Sequence, residues 1–257
     1  MLARWRAAGL IAPALMTLAL LPVLIGLGTW QWHRKTWKED LIAKVEARRL
    51  ALPVSYVDAL GRYAQTGDVE YLRLRVSGTF DHGQERHVYA PSTASQGWNV
   101  YTLLRPEGGL PPLFVNRGWV ADTLKDPVKR AQGQLSGPVT VTGLARLSEQ
   151  AGLFTMARDD KSNRWYWRDL PGMEAGVQTA GANAPIAFAP FSLDAEAEPA
   201  NPGGFPQGGT TEIHLSNSHL QYVVTWYGLA VTLLAIFAVY ARQRLQSGKG
   251  ETVPPQP

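Results

Sequence analysis

The chain is bracketed by two apolar stretches, and that arrangement limits its architecture more than any other feature. The first covers residues 7–30 and runs out through Gly28-Thr29-Trp30-Gln31-Trp32-His33-Arg34; the second covers residues 219–241 and opens on His219-Leu220-Gln221-Tyr222-Val223-Val224-Thr225-Trp226-Tyr227. Each approaches the roughly 20 apolar residues needed to cross a hydrocarbon core. Their aromatic edges fall where amphipathic rings prefer to sit, at a membrane–water boundary. The expected architecture is an α+β membrane protein with N- and C-terminal transmembrane helices flanking one domain at residues 31–218.

Charge gives the expected orientation. The tails, residues 1–6 and 242–257, hold Arg4, Arg6, Arg242, Arg244 and Lys249 against Glu251, a surplus of four that accounts for the whole net charge of +4. Residues 31–218 carry 20 Lys and Arg against 20 Asp and Glu, so the intervening domain is neutral. The positive-inside tendency then puts both termini in the cytoplasm and the domain on the outer side of a bacterial inner membrane. Arg34, Lys35 and Lys38 run against this, but long loops cross largely regardless of their charge. A neutral domain also lacks the clustered basic face that nucleic-acid binding requires. The first stretch exceeds the about 7–15-residue core of a secretory signal, and no small-x-small cleavage site follows it, so it reads as a retained anchor.

There is no cysteine. Thiolate copper sites, Cys-x-x-Cys redox chemistry, zinc ribbons and covalent haem attachment are excluded by that alone. A domain of about 190 residues buries an adequate core without disulfides.

Within the domain, Trp37, Leu41 and Val45 recur at helical spacing over residues 36–50, and Pro53 ends the run. The pattern then turns to period two. Residues 71–76 alternate apolar with charged, and residues 85–90, 98–104, 113–120, 139–147 and 186–193 are further strand candidates. Short strands without long intervening helices predict a β-rich, mainly antiparallel extracytoplasmic domain, a sheet or partly closed barrel. Residues 125–136 read as an exposed surface helix or loop. Residues 195–211, rich in Pro, Gly and Ala, read as a flexible connection into the second helix.

No His-Glu-x-x-His, Gly-x-Ser-x-Gly, phosphate loop, dinucleotide fingerprint or calcium loop is present, so the chain is not expected to be an enzyme. His82 and His87 are five apart, which suits neither one helix face nor one strand face; a turn followed by an exposed strand is the expectation there. Asp159 and Asp160 lie within reach of Lys161 or Arg164 as loop ion pairs.

Five blocks, in order, carry a family resemblance. They are Gly28-Thr29-Trp30-Gln31-x-x-Arg34-x-x-Trp37-Lys38-x-x-Leu41-Ile42, Gly78-Thr79-Phe80-Asp81-His82, Val115-Asn116-Arg117-Gly118-Trp119-Val120, Asn163-Arg164-Trp165-Tyr166-Trp167-Arg168-Asp169-Leu170 and Asn217-x-His219-Leu220-Gln221-Tyr222-x-x-Thr225-Trp226-Tyr227-Gly228-Leu229. Together with the two-anchor layout they resemble the Surfeit-locus (Shy-type) cytochrome c oxidase assembly factor family, with no departure inside the blocks; residues 172–209 read as a variable region. The resemblance implies a non-catalytic assembly factor for haem-copper oxidases that helps haem a reach or settle in the large subunit. It implies as partners the cytochrome c oxidase large subunit and the haem a synthesis machinery.

The residues themselves bear on that implication. On a helix, His219 shares a face with Tyr222, Val223 and Trp226. An imidazole beside flat rings is suited to hold a haem as axial ligand, and equally to form an ordinary interfacial belt. Trp30, Arg34 and Trp37 form a matching stripe on the first helix, where Arg34 would receive a propionate or snorkel to headgroups. Gly26 and Gly28 suit close helix approach. His33 and His214 stand near the same boundary as candidate second ligands. Asn116, Arg117 and Trp119 read as a strand interruption or turn with cation–π packing, or as a docking surface. Trp165 and Trp167 read as alternate rings of a strand, one face core and the other available to a partner. The alternative to haem handling is a haem-free scaffold that stabilises an oxidase assembly intermediate.

Overall fold

The computed structural model describes residues 2–92, 95–177, 186–210 and 218–247. Two compact units emerge, one of residues 1–43 with 214–257 and one of residues 44–213. The candidate second ligand His214, the motif residue Asn217 and the tail beyond residue 247 lie outside the described residues.

The first unit is helical. A short α1 (Leu2–Ala7) precedes α2 (Ile11–Leu50), and α5 (His219–Ser247) closes the chain. Both α2 and α5 are long and apolar enough to cross a membrane. Most of their large apolar side chains, Leu15, Met16, Leu18, Val23, Val224, Val231 and Ile236 among them, point outward unburied. A water-facing protein rarely leaves so much contiguous apolar surface open. The helical run expected at residues 36–50 is therefore the continuation of α2, whose last turns, from Lys44, belong to the second unit.

The second unit holds β1 (Val54–Ser55), α3 (Tyr56–Thr66), β2 (Arg73–Tyr89), β3 (Gly97–Pro106), β4 (Leu113–Ala121), β5 (Pro138–Leu147), α4 (Leu170–Ala175) and β6 (Phe191–Ala195). Five strands close a barrel in the order β2-β3-β4-β6-β5, with β5 returning to β2. The long β2 makes closure possible, because its first half pairs with β5 and its second half with β3. Those pairings, β3–β4 and β5–β6 are antiparallel; the two-residue ladders β1–β2 and β4–β6 are parallel. Along β2 the expected period of two is plain: Leu74, Val76 and Phe80 are buried while Arg75 and Thr79 face water. They join Leu104, Val115, Ala145, Phe191 and Leu193 in the main core, against which α3 lays Tyr56 and Ala59. Each such side chain contributes about 1.5–3 kcal/mol on burial.

Several expectations are corrected. Residues 56–66 form α3, which the strand-like reading of the region passed over; Ser55 caps it by accepting from the Asp58 N–H at 3.1 Å. Tyr71 sits at φ 60°, outside the ladder, so the strand begins at Arg73. Of residues 186–193, only Phe191 onward is strand. Residues 125–136 are neither a regular surface helix nor wholly exposed: Pro127–Gly133 winds as 3-10 turns, and Arg130 and Gly133 are buried. Instead of a turn and an exposed strand, residues 82–87 lie within β2 at a bulge, where five steps of β2 oppose two of β3. Bulges re-aim side chains, and here Glu85 and His87 turn inward and are buried.

Candidate functional site

In the helical unit, α2 and α5 meet along a narrow seam. Gly28 is buried there, and a Cβ at its position would lie 3.1 Å from the Tyr227 ring, so glycine sets how closely the helices approach. The Thr29 and Tyr227 hydroxyls are 3.0 Å apart, while Val223 and Ala230 are buried on the same face of α5. At the end of this seam His219, the first residue of α5, places Nδ1 2.7 Å from Gln31 Oε1. An amide oxygen only accepts, so this contact pairs with a proton on Nδ1, and in the neutral ring that places the lone pair on Nε2. Trp226, half-buried two turns along, has an indole N–H without a protein acceptor among the described residues.

The other expected site residues flank the seam. Tyr222 and Trp30 are half-exposed rings. Arg34 is exposed and holds its guanidinium 4.8 Å from the Trp37 ring. Trp32 carries Lys35 at 5.5 Å, and Lys35 pairs with Glu39 at 2.7 Å. His33 is exposed. The N-donor, flat apolar rings and a cation that a haem would need therefore occur on neighbouring turns of these two helices. Gln31 was missed as a site residue, although it stands in the first sequence block; its role depends on pairing across 188 positions, which no local pattern reveals.

In the barrel unit, the Asn116–Trp119 block is the expected interruption and not a turn: β4 runs through it, and its ladder with β3 is broken by a bulge where three steps of β4 oppose two of β3. Asn116 donates to Asp194 at 3.2 Å and accepts from the Gly118 N–H at 3.1 Å. Arg117, 2% exposed, lies 4.8 Å from the Phe80 ring and donates through Nη2 to the Gly133 carbonyl and to Asn201. Burial pushes its pKa down to about 10. Gly118 has φ +121°, and a Cβ there would lie 1.8 Å from the Gln207 carbonyl oxygen, so the block requires glycine. Trp119 donates its indole N–H to the Ala90 carbonyl at 2.8 Å. Within this block the cation–π packing is that of Arg117, on Phe80, while Asn116 and Trp119 are fastened by hydrogen bonds; buried Asn116 and Arg117 offer no side-chain surface to a partner.

The fourth block likewise fastens the fold. Asn163, at φ 50°, donates to the Glu85 carbonyl at 2.8 Å and to His87 Nδ1 at 3.1 Å, and accepts from Trp165 Nε1 at 3.1 Å. Residues 165–167 are not a strand; a single bridge joins Trp165 to Val88. Trp165 is buried against Val88, Tyr101 and Phe114, whereas Trp167 keeps partial exposure. Asp159 accepts from Ser162, and Arg158, not Lys161 or Arg164, takes Asp160 at 3.1 Å.

These two blocks meet at a buried polar cluster that the sequence does not announce. Arg130 grips Glu85 through two hydrogen bonds, Nη1 to Oε1 at 3.2 Å and Nη2 to Oε2 at 2.5 Å. His87 Nε2 lies 3.6 Å from Glu85 Oε2, and His82 Nδ1 3.8 Å from Oε1. Burial would raise the Glu85 pKa, but His82, His87 and Arg130 outweigh it and hold the carboxyl below its usual range. Burial lowers the His87 pKa against the opposing pull of Glu85. Each polar atom of this carboxylate is engaged, which suits a structural clamp better than an acid or base.

In chain order, then, an apolar helix, a small closed barrel and a second apolar helix with an imidazole at its start define a barrel protein flanked by two long apolar helices. Comparison with known sequences gives the particular family: the SURF1 family model matches residues 18–231, and the chain belongs to that family. It is 36% identical over 249 residues to a SURF1-like protein of Monosiga brevicollis, covering 91% of this chain and 88% of that one. It is also 36% identical to the Surfeit locus protein 1 of Homo sapiens over 232 residues, 83% of this chain and 72% of the human one. With the Mus musculus protein of that name it shares 34% over 244 residues, 88% and 75% of the two chains. The resemblance read from the five blocks is thereby borne out.

Proposed function

We propose that this protein is a membrane-anchored assembly factor for a haem-copper cytochrome c oxidase, which holds haem a as cargo through His219 and helps it enter or stay in the large subunit. The observation that carries the reading is the His219–Gln31 contact, which leaves an imidazole nitrogen with a free lone pair at the aromatic edge of two apolar helices. Haem iron takes such a nitrogen as an axial ligand. Trp30, Tyr222 and Trp226 supply flat apolar surface, and Arg34 a guanidinium for a propionate. Family membership supports the oxidase assignment, and the charge surplus in the tails supports both termini on the cytoplasmic side of a bacterial inner membrane. On this reading the barrel faces outward, the partners are the large subunit and the haem a synthesis machinery, and the chain performs no catalysis.

A haem-free scaffold is the rival. Complementation separates the two: cells lacking the protein receive either wild type or His219→Phe, and haem a per large subunit is measured in purified oxidase. The cargo reading expects His219→Phe to leave the oxidase short of haem a although the variant accumulates normally in the membrane. Full haem a content with that variant would favour the scaffold.

A further inference from the structure

We infer that Gln31 is a positioning residue for His219: it fixes the ring in the Nδ1–H tautomer and so presents bare Nε2 as the metal-binding atom. The inference rests on the haem reading above and deepens it. Metal-ligating histidines characteristically donate their second ring N–H to an acceptor that sets tautomer and orientation. Gln31 Oε1 meets that requirement at 2.7 Å, from the facing helix and not from the turn that carries His219. Free histidine favours the opposite tautomer, with the proton on Nε2, which would occlude the ligand atom. Half-buried between apolar helices, an unpaired Nδ1–H would also be costly, so an acceptor at position 31 has both an electronic and a stability role.

The seam offers a control. The Thr29–Tyr227 contact at 3.0 Å also joins α2 to α5 but does not touch the imidazole. Tyr227→Phe removes a cross-helix hydrogen bond without altering what His219 donates to. If Gln31 served only to hold the helices together, Gln31→Leu and Tyr227→Phe would behave alike.

The test uses the full chain in detergent, labelled with 15N-histidine. Two-bond proton–nitrogen correlation reads the tautomer before any haem is added, and His219→Ala assigns the signal. The wild type and Tyr227→Phe are expected to show Nδ1–H, Gln31→Leu to move to Nε2–H, and Gln31→Glu to retain Nδ1–H. Purified haem a is then titrated. Gln31→Leu should weaken its retention about 10- to 100-fold, the usual effect of losing such an outer partner. Gln31→Glu should lower the midpoint potential of the bound haem, because a carboxylate acceptor makes the ligand more basic. A wild type with the proton on Nε2, or a Gln31→Leu variant with unchanged tautomer, affinity and potential, overturns the inference. A wild type with the Nδ1–H tautomer that takes up no haem a would instead overturn the cargo reading, and Gln31's role toward haem with it.

Discussion

Replacing Arg130 by Met should destabilise the barrel far more than the loss of one ion pair suggests. The side chains of Arg130 and Glu85 are 1% and 4% exposed, so the pair is desolvated on both sides. Exposed pairs contribute about 0–1 kcal/mol. Removing one partner of a buried pair costs about 3–5 kcal/mol, because the other charge is left without compensation. For a unit of residues 44–213 that corresponds to a fall in melting temperature of about 6–20 °C. The double variant Glu85→Gln, Arg130→Met should lose less than Arg130→Met alone, since no naked charge remains. The effect should also depend on pH. In the wild type the Glu85 pKa is depressed, so its contribution is present at neutral pH and fades as pH falls through the folded value. Without Arg130 the carboxyl is held down less strongly, so the variant's deficit is largest at neutral pH and shrinks as the pH falls. Thermal unfolding of the full chain, followed by tryptophan fluorescence at several pH values, measures both. A cost near 1 kcal/mol, independent of pH, would refute the assignment of a desolvated pair.

Asn163 and Glu174 give further tests. Asn163 holds φ 50° and the hydrogen bonds to Glu85 and His87, so Asn163→Gly loses the bonds alone. Asn163→Ala also adopts a left-handed backbone, and its denaturation midpoint should show a further loss of about 1–2 kcal/mol. Burial, with Asp169 nearby, pushes the Glu174 pKa up to about 7. A raised carboxyl contributes stability below its unfolded value that is lost as pH rises through the folded one. Glu174→Gln should therefore match the wild type below about pH 4.5 and exceed it above about pH 7 in melting temperature; an unchanged difference across that range would count against the half-buried placement.

What the sequence discloses follows the range of each interaction. The two apolar helices and the period-two strands were legible because burial of one face imprints itself on neighbouring residues, as in Leu74, Val76 and Phe80. Helix α3 was passed over beside the period-two strands that follow it, although Ser55 with Asp58 is a capping signal that could have revealed it. The bulge at residues 81–86 was illegible, since it depends on register against β3, and with it went the inward turn of Glu85 and His87. Arg130 lay in a stretch that reads as exposed, and Arg117 reads equally as cation–π packing or as a docking surface; only their distant partners, Glu85 for the one and Phe80 and Asn201 for the other, make them core residues. For the same reason His219 was found as a candidate from its position, and Gln31 was not.

The most direct test of the central claim is the visible spectrum of the purified full-length protein after co-expression with a haem a synthesis system, wild type against His219→Ala. Cargo binding at His219 predicts a reduced haem a band in the wild type that the substitution removes, with both proteins equally folded by tryptophan fluorescence. A wild type that emerges colourless although haem a is abundant in the membrane would contradict the account and leave a haem-free scaffold in its place.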